Sequence, residues 1–86
     1  MNLDLKDKKV FISGSTKGIG FETAKLFLEE GSNVIINGRT KESVDSAVIK
    51  LNNKNVSGIY ADFLDNAQIN ELIKKIPDDI DIIINN

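Results

Sequence analysis

The run Ser13-Gly14-Ser15-Thr16-Lys17-Gly18-Ile19-Gly20 follows an apolar stretch, Val10-Phe11-Ile12, and opens an amphipathic segment that ends at Glu29-Glu30-Gly31. A glycine-rich turn between a strand and a helix aims backbone N–H groups and the positive end of the helix dipole at one spot, which suits a phosphate. The three glycines have separable tasks. Gly14 lets the chain leave the strand in a tight turn, Gly18 lets the backbone approach a pyrophosphate, and Gly20 lets the helix pack closely on the sheet. The spacing is Gly-x3-Gly-x-Gly, which does not fit the Gly-x4-Gly-Lys-Ser/Thr phosphate loop of nucleotide hydrolases. The alternative is an ordinary glycine-containing connection that binds nothing.

Two cations lie where an adenosine ribose would be met. In dinucleotide folds an acid after the second strand bonds the ribose 2′-hydroxyl of NAD, whereas an arginine accommodates the 2′-phosphate of NADP. Here the segment Asn37-Gly38-Arg39-Thr40 carries Arg39 and no acid, and Lys17 in the glycine turn adds a second charge. A guanidinium bonds phosphate bidentately and an ammonium adds a point charge; solvated surface cations are the plainer alternative. Ala61-Asp62-Phe63 closes the third strand. The Asp62 carboxylate can accept from an adenine amino group, with apolar surface beside it, or it can serve the start of the following helix. Asn85 and Asn86 fall at the carboxyl end of the fourth strand, where open α/β sheets bind ligands. Their amides can bridge strands, contact a ribose, or simply make a turn. Asp81 reads as a strand-start residue, and Lys8-Lys9 and Lys74-Lys75 as solvated charge.

The elements that must position these residues are legible from periodicity. Apolar runs recur at 10–13, 33–36, 56–61 and 80–84, and three segments of helical period lie between them. Gly20, Ala24, Phe27 and Leu28 share one helical face, with Gly31 as a stop. Val44, Ala47, Val48 and Leu51 share another, with Thr40 as N-cap and Asn52-Asn53 as exit. Ile69, Leu72, Ile73 and Ile76 make a third, opened by Asp65 and Gln68 as a capping box and stopped by Pro77. Strands alternating with helices predict an α/β fold with a parallel sheet covered on both faces. The unbroken Ile82-Ile83-Ile84 predicts a strand buried on both sides.

Composition narrows the function. Eighty-six residues make one small domain, 41% hydrophobic and 28% charged, which is globular rather than disordered. A net charge of −2 argues against a dedicated nucleic-acid or anionic-membrane binder. The absence of Cys and His removes disulfides, thiol catalysis and the commonest zinc ligand sets. No apolar run approaches the roughly 20 residues of a membrane span, and Met1–Lys6 lacks the pattern of a secretory signal. Cytoplasm is the expected compartment.

Together these residues resemble the short-chain dehydrogenase/reductase family. The family's Thr/Ser-Gly-x3-Gly-Ile-Gly is matched by Ser13–Gly20, its Asp after the third strand by Asp62, and its Asp-Ile-Leu-Val-Asn-Asn by Asp81–Asn86. The resemblance implies a Rossmann-type parallel sheet of order 3-2-1-4 with flanking helices, incomplete relative to the family domain. Residues 1–86 then form an NADP(H)-binding N-terminal portion, with NAD less favoured because Lys17 and Arg39 match the family's NADP(H) pattern. The implied cofactor contacts are Gly14, Ser15, Thr16, Lys17, Gly18, Ile19, Gly20, Arg39, Asp62, Phe63 and Asn86. The implied chemistry is hydride transfer between the dinucleotide and a small carbonyl or alcohol. The family's catalytic Ser and Tyr-x3-Lys have no counterpart here: Tyr60 is followed four residues later by Leu64. These residues alone are therefore expected to be inactive, and a longer polypeptide is expected to supply the pair. The rival expectation is a truncated, non-catalytic nucleotide binder, or an assembly piece that dimerises or aggregates through the edge strand 80–84.

Overall fold

A computed structural model describes residues 4–62 and 65–86. Along the chain come β1 (Lys9–Ile12), α1 (Gly18–Glu29), β2 (Asn33–Gly38), α2 (Lys41–Leu51), β3 (Val56–Tyr60), α3 (Asn66–Lys75) and β4 (Ile82–Ile84). Each strand pairs in parallel with its neighbour, and the sheet order is β3-β2-β1-β4, as the family resemblance implies. Register sets Val10 and Ile12 of β1 opposite Val34 and Ile36 on one side and Ile82 and Ile84 on the other. Those residues therefore stack on one face of the sheet, since side chains alternate along a strand.

That face carries the main core. Val10, Ile12, Val34 and Ile36 pack with Ala24 and Leu28 of α1 and with Val44 and Ala47 of α2. The opposite face is more thinly covered: Phe11, Ala61 and Leu72 form a small cluster, joined by Ile35, Ile59, Ile76 and Ile80. Two expectations are corrected here. Ile83 shares the side of Phe11 yet is 67% exposed, so β4 is covered on one side only among the described residues. Ile73 is 63% exposed while Leu72 is buried, because α3 turns Leu72 rather than Ile73 toward the sheet.

Helix ends follow local chemistry. Thr40 caps α2, its side chain accepting from the Ser43 N–H at 3.2 Å, and Asn52 closes the helix in the left-handed region at φ 47°. Gly31, at φ +87°, turns the chain out of α1. Asp65 caps α3 by accepting from the Ala67 and Gln68 N–H groups. Gln68 does not close a box on the Asp65 N–H, as sequence alone suggests. Its Oε1 accepts instead from the Asp62 N–H at 2.8 Å, while the Asp65 N–H donates to the Asp62 carbonyl. Asp65→Ala should therefore cost about 1 kcal/mol, the usual loss of an N-cap, measurable as a lower urea midpoint at unchanged slope.

Asp81 behaves as a strand-start residue: its N–H donates to the Lys9 carbonyl at 2.9 Å and its carboxylate accepts from the Lys9 N–H at 2.8 Å. The Lys9 ammonium is not simply solvated, since it pairs with Asp79. That hydrogen bond holds the Asp79 carboxyl below its ordinary pKa. The sign follows directly. The pair's contribution is complete above the ordinary carboxylate pKa and fades as pH falls through the depressed value. Both partners are exposed, so the effect on stability is small.

Candidate functional site

The carboxyl ends of β1, β2 and β3 open into a cleft of about 470 Å³, lined by Gly14, Thr16, Lys17, Gly38, Arg39, Thr40, Ser43 and Asp62. Parallel topology is what collects residues so distant in sequence at one sheet edge. Of the candidate residues, Gly14, Thr16, Lys17, Arg39 and Asp62 meet directly in this cleft. Lys17 is the N-cap residue of α1, and Gly18, Ile19 and Gly20 form its first turn. A second hollow of about 300 Å³ lies at the opposite end of the strands, between Lys9, Lys54, Asn55 and Pro77, remote from all of them.

The first turn of α1 differs from those of the other helices. Thr40 and Asp65 cap α2 and α3, but among the described residues the Lys17 N-cap of α1 makes no side-chain capping bond, and no acid lies in the first turn of α1. A helix start of this kind leaves backbone donors and positive partial charge unanswered by the protein. Gly18 sits at φ +64°, and a Cβ built there meets nothing within 4 Å, so the backbone is open to an approaching group. Ile19 is 80% exposed on the same turn. Gly20 does another job. A Cβ there would lie 2.7 Å from the Gly14 carbonyl oxygen, 2.8 Å from Asn86 Nδ2 and 2.9 Å from Ser15 Cα. Its bare Cα thus packs against the turn and Asn86.

Charge in the cleft is arranged as cations around one acid. Arg39 Nε is 4.0 Å from Asp62 Oδ1, with the arginine side chain 75% exposed. The main chain of Asp62 forms the start of α3 through Gln68 and Asp65, and its carboxylate faces Arg39 in the cleft. The guanidinium is consequently free to turn toward a ligand at small cost, because exposed ion pairs contribute about 0–1 kcal/mol.

Ser15 and Asn86 have hydrogen-bond partners of their own within the protein. Ser15 is fully buried: its hydroxyl donates to the Ile12 carbonyl at 2.7 Å and its N–H to the Asn37 carbonyl at 2.7 Å, so it holds the turn from beneath. The Asn86 side chain donates to the Gly14 carbonyl at 3.0 Å and its N–H donates to Ser13 Oγ at 3.0 Å, a bridge from the end of β4 to the glycine turn. Phe63 lies outside the described residues. Asn37 was not among the candidates. It is 2% exposed, its Oδ1 accepts from the Gly14 N–H at 3.1 Å and its Nδ2 donates to the Ile59 carbonyl at 3.1 Å. Its N–H also donates to Ser15 Oγ at 2.9 Å. The one sequence signal for it is a polar residue inside an otherwise apolar strand. Gly38 was overlooked as well: a Cβ there would collide with the Thr16 methyl.

Comparison with known proteins decides the family. The model of the short chain dehydrogenase family matches residues 8–86. The chain belongs to the short-chain dehydrogenase family. It is 45% identical over 89 residues to the uncharacterized oxidoreductase YvrD of Bacillus subtilis, covering all of this chain and 34% of that protein. It is 34% identical over 93 residues to a 3alpha-hydroxysteroid dehydrogenase of Mediterraneibacter gnavus, covering all of this chain and 37% of that one. Among solved structures, a short chain dehydrogenase/reductase family protein superposes with a TM-score of 0.87 at 31% identity, covering 98% of this chain and 35% of the other. The Pseudomonas aeruginosa RhlG/NADP active-site complex gives 0.82 at 25% identity, covering 96% and 35%. The chain thus spans about a third of the length of the short-chain dehydrogenases it matches. No helix among its described residues is long and apolar enough to cross a membrane.

Proposed function

We propose that residues 1–86 form the NADP(H)-binding portion of a short-chain dehydrogenase that interconverts alcohols and carbonyls by hydride transfer. One observation carries the choice of cofactor: an uncapped helix start opens beside a cleft holding Lys17 and Arg39, and β2 ends without the acid that NAD enzymes place there. The open backbone at Gly18 fits a pyrophosphate, and Arg39 with Lys17 fits a 2′-phosphate. The neighbouring solved complex with NADP is consistent with that choice.

When bound, the nicotinamide ring supplies or takes up hydride. The residues here contribute binding and orientation of the adenosine and phosphate half. Proton transfer to the carbonyl oxygen needs a positioned acid. Tyr60, on β3, lacks the family's Tyr-x3-Lys spacing, since Leu64 follows it four residues later. A small carbonyl or alcohol substrate and the catalytic pair therefore go with a longer polypeptide.

The test is fluorescence titration of the whole native polypeptide with NADPH and with NADH. NADPH is expected to bind at least about tenfold more tightly, the value of one charge-assisted bond to phosphate at 1.5–3 kcal/mol. Equal affinities would refute the NADP(H) assignment, and no binding of either would refute the site.

A further inference from the structure

We propose that Asn37 is the positioning residue of the phosphate-binding turn, fixing through its buried amide the direction in which the Gly14–Gly18 backbone presents its donors. The inference rests on the NADP(H) assignment for its ligand, and on the following geometry for its mechanism. Gly14 sits at φ +55°, and glycine has more backbone freedom than any other residue. Nothing intrinsic to Gly14 therefore selects one orientation of its peptide groups. Two asparagine amides do so from outside. Asn37 Oδ1 holds the Gly14 N–H at 3.1 Å, and Asn86 Nδ2 holds the Gly14 carbonyl at 3.0 Å.

Asn37 is the stiffer half of this clamp. It is 2% exposed, whereas Asn86 is exposed, and its Nδ2 is anchored on the Ile59 carbonyl of β3 at 3.1 Å. Its main chain is locked to the same turn through Ser15, whose N–H donates to the Asn37 carbonyl and whose hydroxyl accepts from the Asn37 N–H. The turn is thus tied at two successive residues to β2, and through β2 to β3. An apolar residue of similar size would leave the Gly14 N–H without its side-chain partner in a partly buried place. The turn would then relax toward whatever pairing its glycine allows.

The experiment compares Asn37→Leu, which removes both bonds at similar volume, with Asn37→Asp, which keeps an acceptor toward Gly14 and loses the donor toward Ile59. Two quantities are read on the whole native polypeptide. These are amide hydrogen exchange at Gly14 and the affinities for NADP⁺ and for 2′-AMP, which lacks the pyrophosphate. Asn37→Leu is expected to speed Gly14 exchange at least about tenfold and to weaken NADP⁺ about tenfold, roughly one lost hydrogen bond's worth. The 2′-AMP affinity, which reports Arg39 and Lys17, is expected to move less than about threefold. Asn37→Asp is expected to keep Gly14 protected. A purely structural role would weaken both ligands alike, and that outcome overturns the proposal. So does unchanged Gly14 exchange in Asn37→Leu, or, should that variant not fold, lost protection in Asn37→Asp. Failure of the unaltered protein to bind NADP⁺ would instead strike the cofactor assignment, and Gly14 exchange would still decide whether Asn37 holds the turn.

Discussion

Arg39→Asp is expected to turn cofactor preference from NADPH toward NADH. Arg39 lines the cleft with its side chain 75% exposed, so the substitution leaves the fold intact and acts on the ligand. The lost charge-assisted bonds to the 2′-phosphate are each worth about 1.5–3 kcal/mol, and exposure places this site at the lower end. The new carboxylate repels a 2′-phosphate and accepts from a ribose 2′-hydroxyl. The ratio of NADPH to NADH affinity should therefore fall by about 10- to 100-fold, each factor of ten being 1.4 kcal/mol. Thermal stability should be nearly unchanged, since the pair with Asp62 is long, at 4.0 Å, and its arginine is 75% exposed. A variant that kept its preference for NADPH would show that Arg39 does not meet the 2′-phosphate.

Gly20→Ala is expected to be the most damaging single methyl in the chain's glycine turn. The added Cβ would lie under 3 Å from three atoms, and two of these, the Gly14 carbonyl oxygen and Ser15 Cα, are backbone that cannot swing aside. Overpacking of this kind costs about 1–3 kcal/mol, and the backbone partners put Gly20 at the upper end. The displaced atoms belong to the turn itself, so cofactor affinity should fall together with stability. Gly18→Ala offers the contrast. Its Cβ meets nothing within 4 Å, and the cost is that of holding alanine at φ +64°, about 1–2 kcal/mol. Urea unfolding of the two variants separates them: comparable losses would mean that α1 does not need its close approach to the turn.

Much of the architecture was legible because it depends on local signals. Helical period in Val44, Ala47, Val48 and Leu51, Thr40 and Asp65 as caps, and Gly31 as a stop each act within one turn of chain, and each occurs where it was expected. The meeting of Lys17, Arg39 and Asp62 was also foreseeable, since parallel β-α-β order sends all three to the same sheet edge. What was not legible depends on register. Asn37 shows in the sequence only as a polar residue after the apolar run of its strand. Its bond to Gly14, 23 positions earlier, exists because β1 pairs with β2 so that Ile12 lies opposite Ile36. The family resemblance makes Ser15 a cofactor contact by its place in the motif, and the same register lays it against Asn37 and buries it. Ile73 and Ile83 look like core by composition, and their exposure reflects how little of the second sheet face α3 covers.

The most direct test of the central claim is a ¹H–¹⁵N chemical-shift map of the native polypeptide titrated with NADPH. The expected result is a compact set of shifted amides at Thr16 to Gly20, at Arg39 and Thr40, and at Asp62, the residues that line the cleft and the uncapped first turn of α1. Shifts centred on Lys9, Lys54 and Asn55 at the opposite end of the strands, or none at the glycine turn, would contradict it.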